Sequence, residues 1–343
     1  MHLSPNTLLW LAILLQACCC LESSGDEEHD LALVSLAAEN RVSVFELEKR
    51  SGKMERAFDL DVGGDAGSQF FDAKRSVLYL GLRNAGKIAV MQLDRGKKTL
   101  KRIDEIKVDP DPAYLYVDHS GRWLLAAYYA TGRVSVHGLN RDGTFCRKKD
   151  GSFAAENESW LTTAPRAHAI VPDASNRFVF VPHTGPNRIY QFRLNPDKGR
   201  LFPSQPPHLS FPEGTGPRHL VAHPTRGEIF FCINEQGSSV TLLRMDPKRG
   251  TLQPLQTVST LPTDFDLPNA CADLEISKDG RFLYGANRGH DSIALFQLLK
   301  NDELVRKGIF KTEKTPRQFS LSPDNKFLVS AGQGSDRLAI FRV

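Results

Sequence analysis

One pattern recurs seven times along this chain, and it fixes the architecture before any single strand is assigned. Its clearest part is an apolar strand, a polar turn and a second apolar strand. The copies are LALVSLAAENRVSVFEL (31–47), SVLYLGLRNAGKIAVMQL (76–93), RWLLAAYYATGRVSVHGL (122–139), RFVFVPHTGPNRIYQFRL (177–194), EIFFCINEQGSSVTLLRM (228–245), RFLYGANRGHDSIALFQL (281–298) and KFLVSAGQGSDRLAIFRV (326–343). A Pro-containing segment with a short apolar strand precedes most copies, and a weaker fourth strand follows. Apolar positions alternate or run together in short blocks bounded by turn residues, with no amphipathic helix of three turns between them. Units spaced 45 to 55 residues apart are the size of propeller blades. An all-β, seven-bladed β-propeller is therefore expected, each blade burying both faces against its neighbours. The first unit begins at what is elsewhere the second strand, and the last stops at its third. The first and last blades are thus expected to be incomplete.

One such ring, over residues 31–343, accounts for nearly all of the 343 residues. With 44 Lys and Arg against 40 Asp and Glu, the charge of +4 is spread along the chain, which argues against nucleic acid as a partner. The first twenty residues differ. LLWLAILLQA (8–17) has the length of a signal-peptide core and ends before Cys18, Cys19 and Cys20, followed by an acidic linker over 21–30. Residues 1–20 are read as an export signal or an N-terminal anchor, with secretion, a periplasmic location or membrane attachment through a lipid on Cys18 as the consequences. Beyond them, Cys146, Cys232 and Cys271 are too few and too scattered for a disulfide framework or a metal-binding pair. Cys232 and Cys271, inside apolar strand patterns, read as buried thiols. No cofactor or metal signature is found.

Two places in the repeat converge on one mouth of a propeller's axial channel: the loop between second and third strands, and the start of the innermost strand. At the loop position stand Arg83, Tyr129, Glu235, Arg288 and Gln333, with His183 in the same place if its loop carries one extra residue. At the innermost strands, PRAH, PRHL and PRQF supply Arg166, His168, Arg218, His219, Arg317 and Gln318, and PAY (112–114) adds Tyr114. A purely structural position would drift among small turn formers. Large ionisable side chains that differ from blade to blade instead suit a site for an anionic or carboxylate-bearing small molecule. Interblade salt bridges and hydrogen-bonded structural histidines are the plainer reading of each residue taken alone.

HAIVPDASNRFVFVPHTGPNRIYQFRLNPDKGRL, GPRHLVAHPTRGEIFFCINEQGSSV, DGRFLYGANRGHDSIALF and TPRQFSLSPDNKFLVSAGQGSDRLAIF resemble the seven-bladed lactonase family of propeller-type 6-phosphogluconolactonases and fungal carboxymuconate cyclases. The resemblance implies a site at the channel mouth and chemistry that opens or closes a lactone ring without an obligatory metal. Carried over by position, it implies His168, Arg218, Glu235 and Arg288 as the catalytic set. Arg317, His219, Tyr129, His183, Gln333 and Arg83 are expected to bind substrate. His168 or Glu235 is then the base, the other its orienter, and the arginines hold the substrate anion and steady the oxyanion. A non-catalytic propeller that binds an extracytoplasmic ligand or protein is the alternative.

Overall fold

A computed structural model of the chain describes residues 28–152 and 158–343. Blade 1 holds β1 (His29–Leu36), β2 (Arg41–Glu48) and β3 (Met54–Asp61). Blade 2 holds β4 (Ala66–Asp72), β5 (Val77–Leu82), β6 (Lys87–Asp94) and β7 (Thr99–Lys107), and blade 3 holds β8 (Pro112–Val117), β9 (Trp123–Tyr128), β10 (Arg133–Gly138) and β11 (Glu158–Thr162). Blade 4 follows with β12 (Val171–Pro172), β13 (Phe178–His183), β14 (Arg188–Asn195) and β15 (Arg200–Ser210). Blade 5 is β16 (Pro217–Ala222), β17 (Ile229–Asn234), β18 (Ser239–Asp246) and β19 (Thr251–Ser259), and blade 6 is β20 (Ala270–Ile276), β21 (Phe282–Arg288), β22 (Ser292–Leu298) and β23 (Leu304–Lys311). Blade 7 ends the ring with β24 (Pro316–Leu321), β25 (Phe327–Gly332) and β26 (Arg337–Arg342). The expected seven-bladed propeller is what forms. Its first strand starts at His29, inside the stretch read as linker, while the leader and Cys18 lie outside the described residues.

Burial explains the apolar blocks in the sequence. The second strands VLYLGL, WLLAAY, FVFVPH, IFFCIN and FLVSAG are buried at every position, because each is covered on both faces by adjoining blades. Outer strands such as β7 and β19 keep one wet face. Cys232 and Cys271 are buried free thiols, with burial pushing both pKa values up to about 12.

Among the described residues, blade 1 lacks an innermost strand and blade 7 an outermost one, so no shared strand closes the ring. Side chains do. Ala32, Val34 and Leu47 of blade 1 pack on Phe327, Val329 and Ala331 of blade 7. Arg342 reaches across to the Arg50 carbonyl at 3.2 Å. The same junction repeats a device used elsewhere in the ring: a left-handed hairpin glycine lies flat against the aromatic that opens the second strand of the preceding blade. Gly199 faces Trp123, Gly250 faces Phe178, and Gly52 faces Phe327. A Cβ on these glycines would fall 2.5, 1.9 and 2.4 Å from the ring atoms.

Gly250→Ala therefore meets both a left-handed backbone (φ +63°) and a ring that cannot retreat. It should cost about 2–4 kcal/mol, against about 1 kcal/mol for Gly214→Ala, where φ is +77° but no atom lies within 4 Å. Denaturant unfolding of the two variants measures the difference. Equal losses would show that the glycine–aromatic contact contributes nothing.

Candidate functional site at the propeller axis

The innermost strands share a departure from ideal pairing. In β16, Pro217 pairs with Asn234 and His219 with Ile233, so Arg218 is an extra residue, a β-bulge. Bulges occur at the same point of β4, β8, β20 and β24. A bulge lets consecutive side chains share a face that strict alternation would give to only one of them. Arg218 and His219, Arg317 and Gln318, and Gly67 and Ser68 all line one axial cavity of about 30 Å³, together with Ala113, His168 and Arg83. That volume holds one or two water molecules. Gly67 makes room for Arg83, since a Cβ there would lie 2.5 Å from its Cγ.

Glu235 organises the cations. Its Oε2 is 3.0 Å from Arg218 Nε and 3.4 Å from Arg288 Nη2. Arg218 is 2% exposed, and its Nη1 also donates to the Ala272 carbonyl. Arg288 donates to the carbonyls of Ala270 (3.2 Å) and Cys271 (2.9 Å). Burial, reinforced by the Arg288 charge, pushes the Arg218 pKa down to about 10. Burial and the Arg218 and Arg288 charges push Arg317 to about 9. Both remain charged at neutral pH. Arg83 pairs with Asp111 at the rim.

Two histidines share this field and stay neutral. Burial, then Arg218, lowers the His219 pKa to about 4, and the same two causes lower that of His168 well below its ordinary value. Their rings meet edge to face at 5.2 Å, and Tyr129 covers His168 at 5.4 Å. The structure thus brings together His168, Arg218, His219, Glu235, Arg288, Arg317, Arg83 and Tyr129. His183 stands apart. Its Nε2 is 3.2 Å from Thr163 Oγ1, its Nδ1 is 3.3 Å from the Pro165 carbonyl, and its ring packs on Tyr190. The extra loop residue leaves it between blades 3 and 4, where it is buried packing and not cavity lining. Gln333 is half-buried beyond the cavity, with its N–H on the Thr315 carbonyl at 3.0 Å.

Sequence reasoning passed over Asp273 and Glu275, on the innermost strand of blade 6. Asp273 accepts from His219 Nδ1 at 2.8 Å. Glu275 accepts from the Leu321 N–H at 2.8 Å, and burial together with the Asp273 charge raises its pKa to about 8. The signal was present in CADLEI: two carboxylates spaced two apart in an otherwise apolar strand face the same side. Blade 6, like blade 2, opens its innermost strand on alanine where blades 3, 5 and 7 have the proline that flagged them, and so its polar pair escaped.

Residues 31–343 match the family described as "Lactonase, 7-bladed beta-propeller". Relatives named 6-phosphogluconolactonase from Cronobacter sakazakii and Klebsiella pneumoniae are each 28% identical over 282 residues, 82% of this chain and 81% of theirs. Among solved structures, the periplasmic gluconolactonase of Pseudomonas aeruginosa has a TM-score of 0.79 at 23% identity, covering 92% of each chain. A protein from Lactobacillus plantarum has a TM-score of 0.77 at 24% identity, covering 88% of this chain and 87% of its own. At these identities the solved structures share the fold. With a family match that spans every blade, this chain belongs to the seven-bladed β-propeller lactonase family.

Proposed function

We propose that the axial cavity is the active site of a lactonase that hydrolyses a sugar-acid lactone, or another lactone carrying a carboxylate or phosphate, as the names of the relatives suggest. The observation that carries this reading is the pairing of Arg218 and Arg288 with the part-buried Glu235 carboxylate, with Arg317 lining the same cavity beside two neutral histidines. Guanidiniums held in place before substrate arrives offer planar donor pairs to an anionic substituent and to the oxyanion that forms when water adds to the ester carbonyl. A cavity sized for water gives the nucleophile a place against the histidines. Neutral histidine is the form that takes a proton. Glu235, bound to two cations, serves to hold them. Closure of a muconate ring, in which a substrate carboxylate oxygen adds to a carbon–carbon double bond while a proton goes to the neighbouring carbon, would draw on the same arginines to hold the substrate carboxylates.

Arg288→Ala should lower kcat/KM on a responsive lactone by about 10²- to 10³-fold. Glu235→Gln should also slow turnover, by releasing both arginines. Gluconolactone, its 6-phosphate and muconolactones form the panel. Equal rates in variants and wild type, or no turnover beside measurable binding of the hydroxy acid, would replace the enzyme with a ligand-binding propeller.

The acid limb of kcat/KM follows from the buried histidines. An exposed histidine base loses activity below its ordinary pKa of about 6.5. Here protonation is deferred to about pH 4 for His219 and occurs well below 6.5 for His168. The profile should stay flat from pH 8 to near pH 5 and fall only at lower pH, within the range where the protein remains folded. A break near 6.5 would assign the base elsewhere.

The apolar run at 8–17 and the periplasmic structural neighbour support export of this chain. Mass analysis of the mature N-terminus should find it at Cys18 or beyond. An intact residue 1 in cytosolic protein would remove that expectation.

A further inference from the structure

We propose that Asp273 is the positioning residue that makes His219, rather than His168, the proton acceptor in this site; the inference rests on the lactonase reading and names the base within it. The hydrogen bonds around His219 leave one neutral tautomer. Asp273 Oδ1, 2.8 Å from Nδ1, can only accept, so Nδ1 carries the hydrogen. Arg218 Nη1, 3.2 Å from Nε2, can only donate, so Nε2 presents its lone pair. That contact is long for a charge-assisted hydrogen bond, and His219 itself lines the cavity, so a water there can displace Arg218 Nη1, which keeps its bond to the Ala272 carbonyl, and donate to the lone pair instead.

Asp273 is in turn held from three directions. The Leu274 N–H donates to Oδ1 at 2.9 Å, and the Phe319 N–H and Gln318 Nε2 approach Oδ2 at 3.4 and 3.5 Å. The aspartate on blade 6, the histidine on blade 5 and the glutamine on blade 7 are thus joined at the axis. His168 has no such support among the described residues: its Nδ1 is buried without a hydrogen-bond partner, and the charges that act on it most are those of Arg218, His219 and Arg317. Charged and titratable groups facing His219 are Arg218 from its own strand, Asp273 from β20, Arg317 from β24, Tyr114 from β8 and His168 from the segment before β12.

In the step this arrangement supports, His219 Nε2 takes a proton from water as the water oxygen bonds to the lactone carbonyl carbon. The carbonyl π pair moves onto oxygen, opposite the arginines. Collapse re-forms the carbonyl and breaks the bond to the ring oxygen, which recovers the proton from His219. Lactone and water become hydroxy acid, and the Asp273 carboxylate, hydrogen-bonded to Nδ1, stabilises the transient imidazolium.

Asp273→Asn, nearly isosteric, should lower kcat about 10²- to 10⁴-fold with KM changed less than about threefold. Combined with His219→Ala, it should cost nothing beyond the His219→Ala loss. A kcat for Asp273→Asn within threefold of wild type, or full additivity with His219→Ala, would overturn the assignment. Should that variant not fold, nitrogen NMR of the wild type decides: the Nδ1–H tautomer of His219 at pH 7 is expected, and a proton on Nε2 would refute it. A wild type that turns over no lactone would remove the hydrolase reading, while the tautomer measurement would still decide whether Asp273 orients His219.

Discussion

A small antiparallel sheet with two apolar faces can bury both only by standing between two similar sheets. In this chain that requirement closes a ring of seven blades. Each interface is a dry cluster, such as the one that joins Phe180 of blade 4 to Phe230 and Cys232 of blade 5. Closure by a shared strand is absent among the described residues, yet the junction of blades 1 and 7 follows the same packing, down to the Gly52–Phe327 contact that echoes Gly250–Phe178. Among the described residues, packing between blade faces sets the geometry of the axis.

The axis inherits a problem from that packing. Innermost strands from several blades crowd together, and what points inward must be small, or polar and mutually satisfied. The bulges turn this constraint to use, because they place two consecutive side chains per strand on the axial side. Gly67 yields the space that Arg83 occupies, and Ala113 lines the same cavity as Arg83, Arg218 and Arg317. Glu235 then decides whether buried guanidiniums are tolerable: an unpaired Arg218 at 2% exposure would carry an uncompensated charge, whose cost reaches about 3–5 kcal/mol.

Charge and neutrality are divided accordingly. Burial works against every ionised form, but the arginines start so far from neutrality that they keep their protons, whereas His168 and His219 lose theirs. Cationic donors therefore lie beside uncharged proton acceptors at neutral pH. Burial and the Asp273 charge push Glu275 up to about 8, while Asp273 is the carboxylate within hydrogen-bonding reach of His219.

Much of this was legible in the residues themselves. The period of the apolar blocks gave the blade number and the two short blades, since a repeated pattern can be buried only by stacking on itself. The positions of Arg218, Glu235 and Arg288 within the repeat placed them at one mouth, because equivalent positions in a ring face the same way. What a linear pattern could not supply was distance across the axis. That Glu235 divides its charge between two arginines, that His183 turns into a blade interface, and that Asp273 of one blade meets His219 of the next are all contacts between residues 17 to 54 positions apart. Sequence fixed which groups reach the axis, through local periodicity and bulge-forming strands. Only the closed ring, by bringing separate blades within hydrogen-bonding reach, decided which of them neutralise one another and which remain free to act.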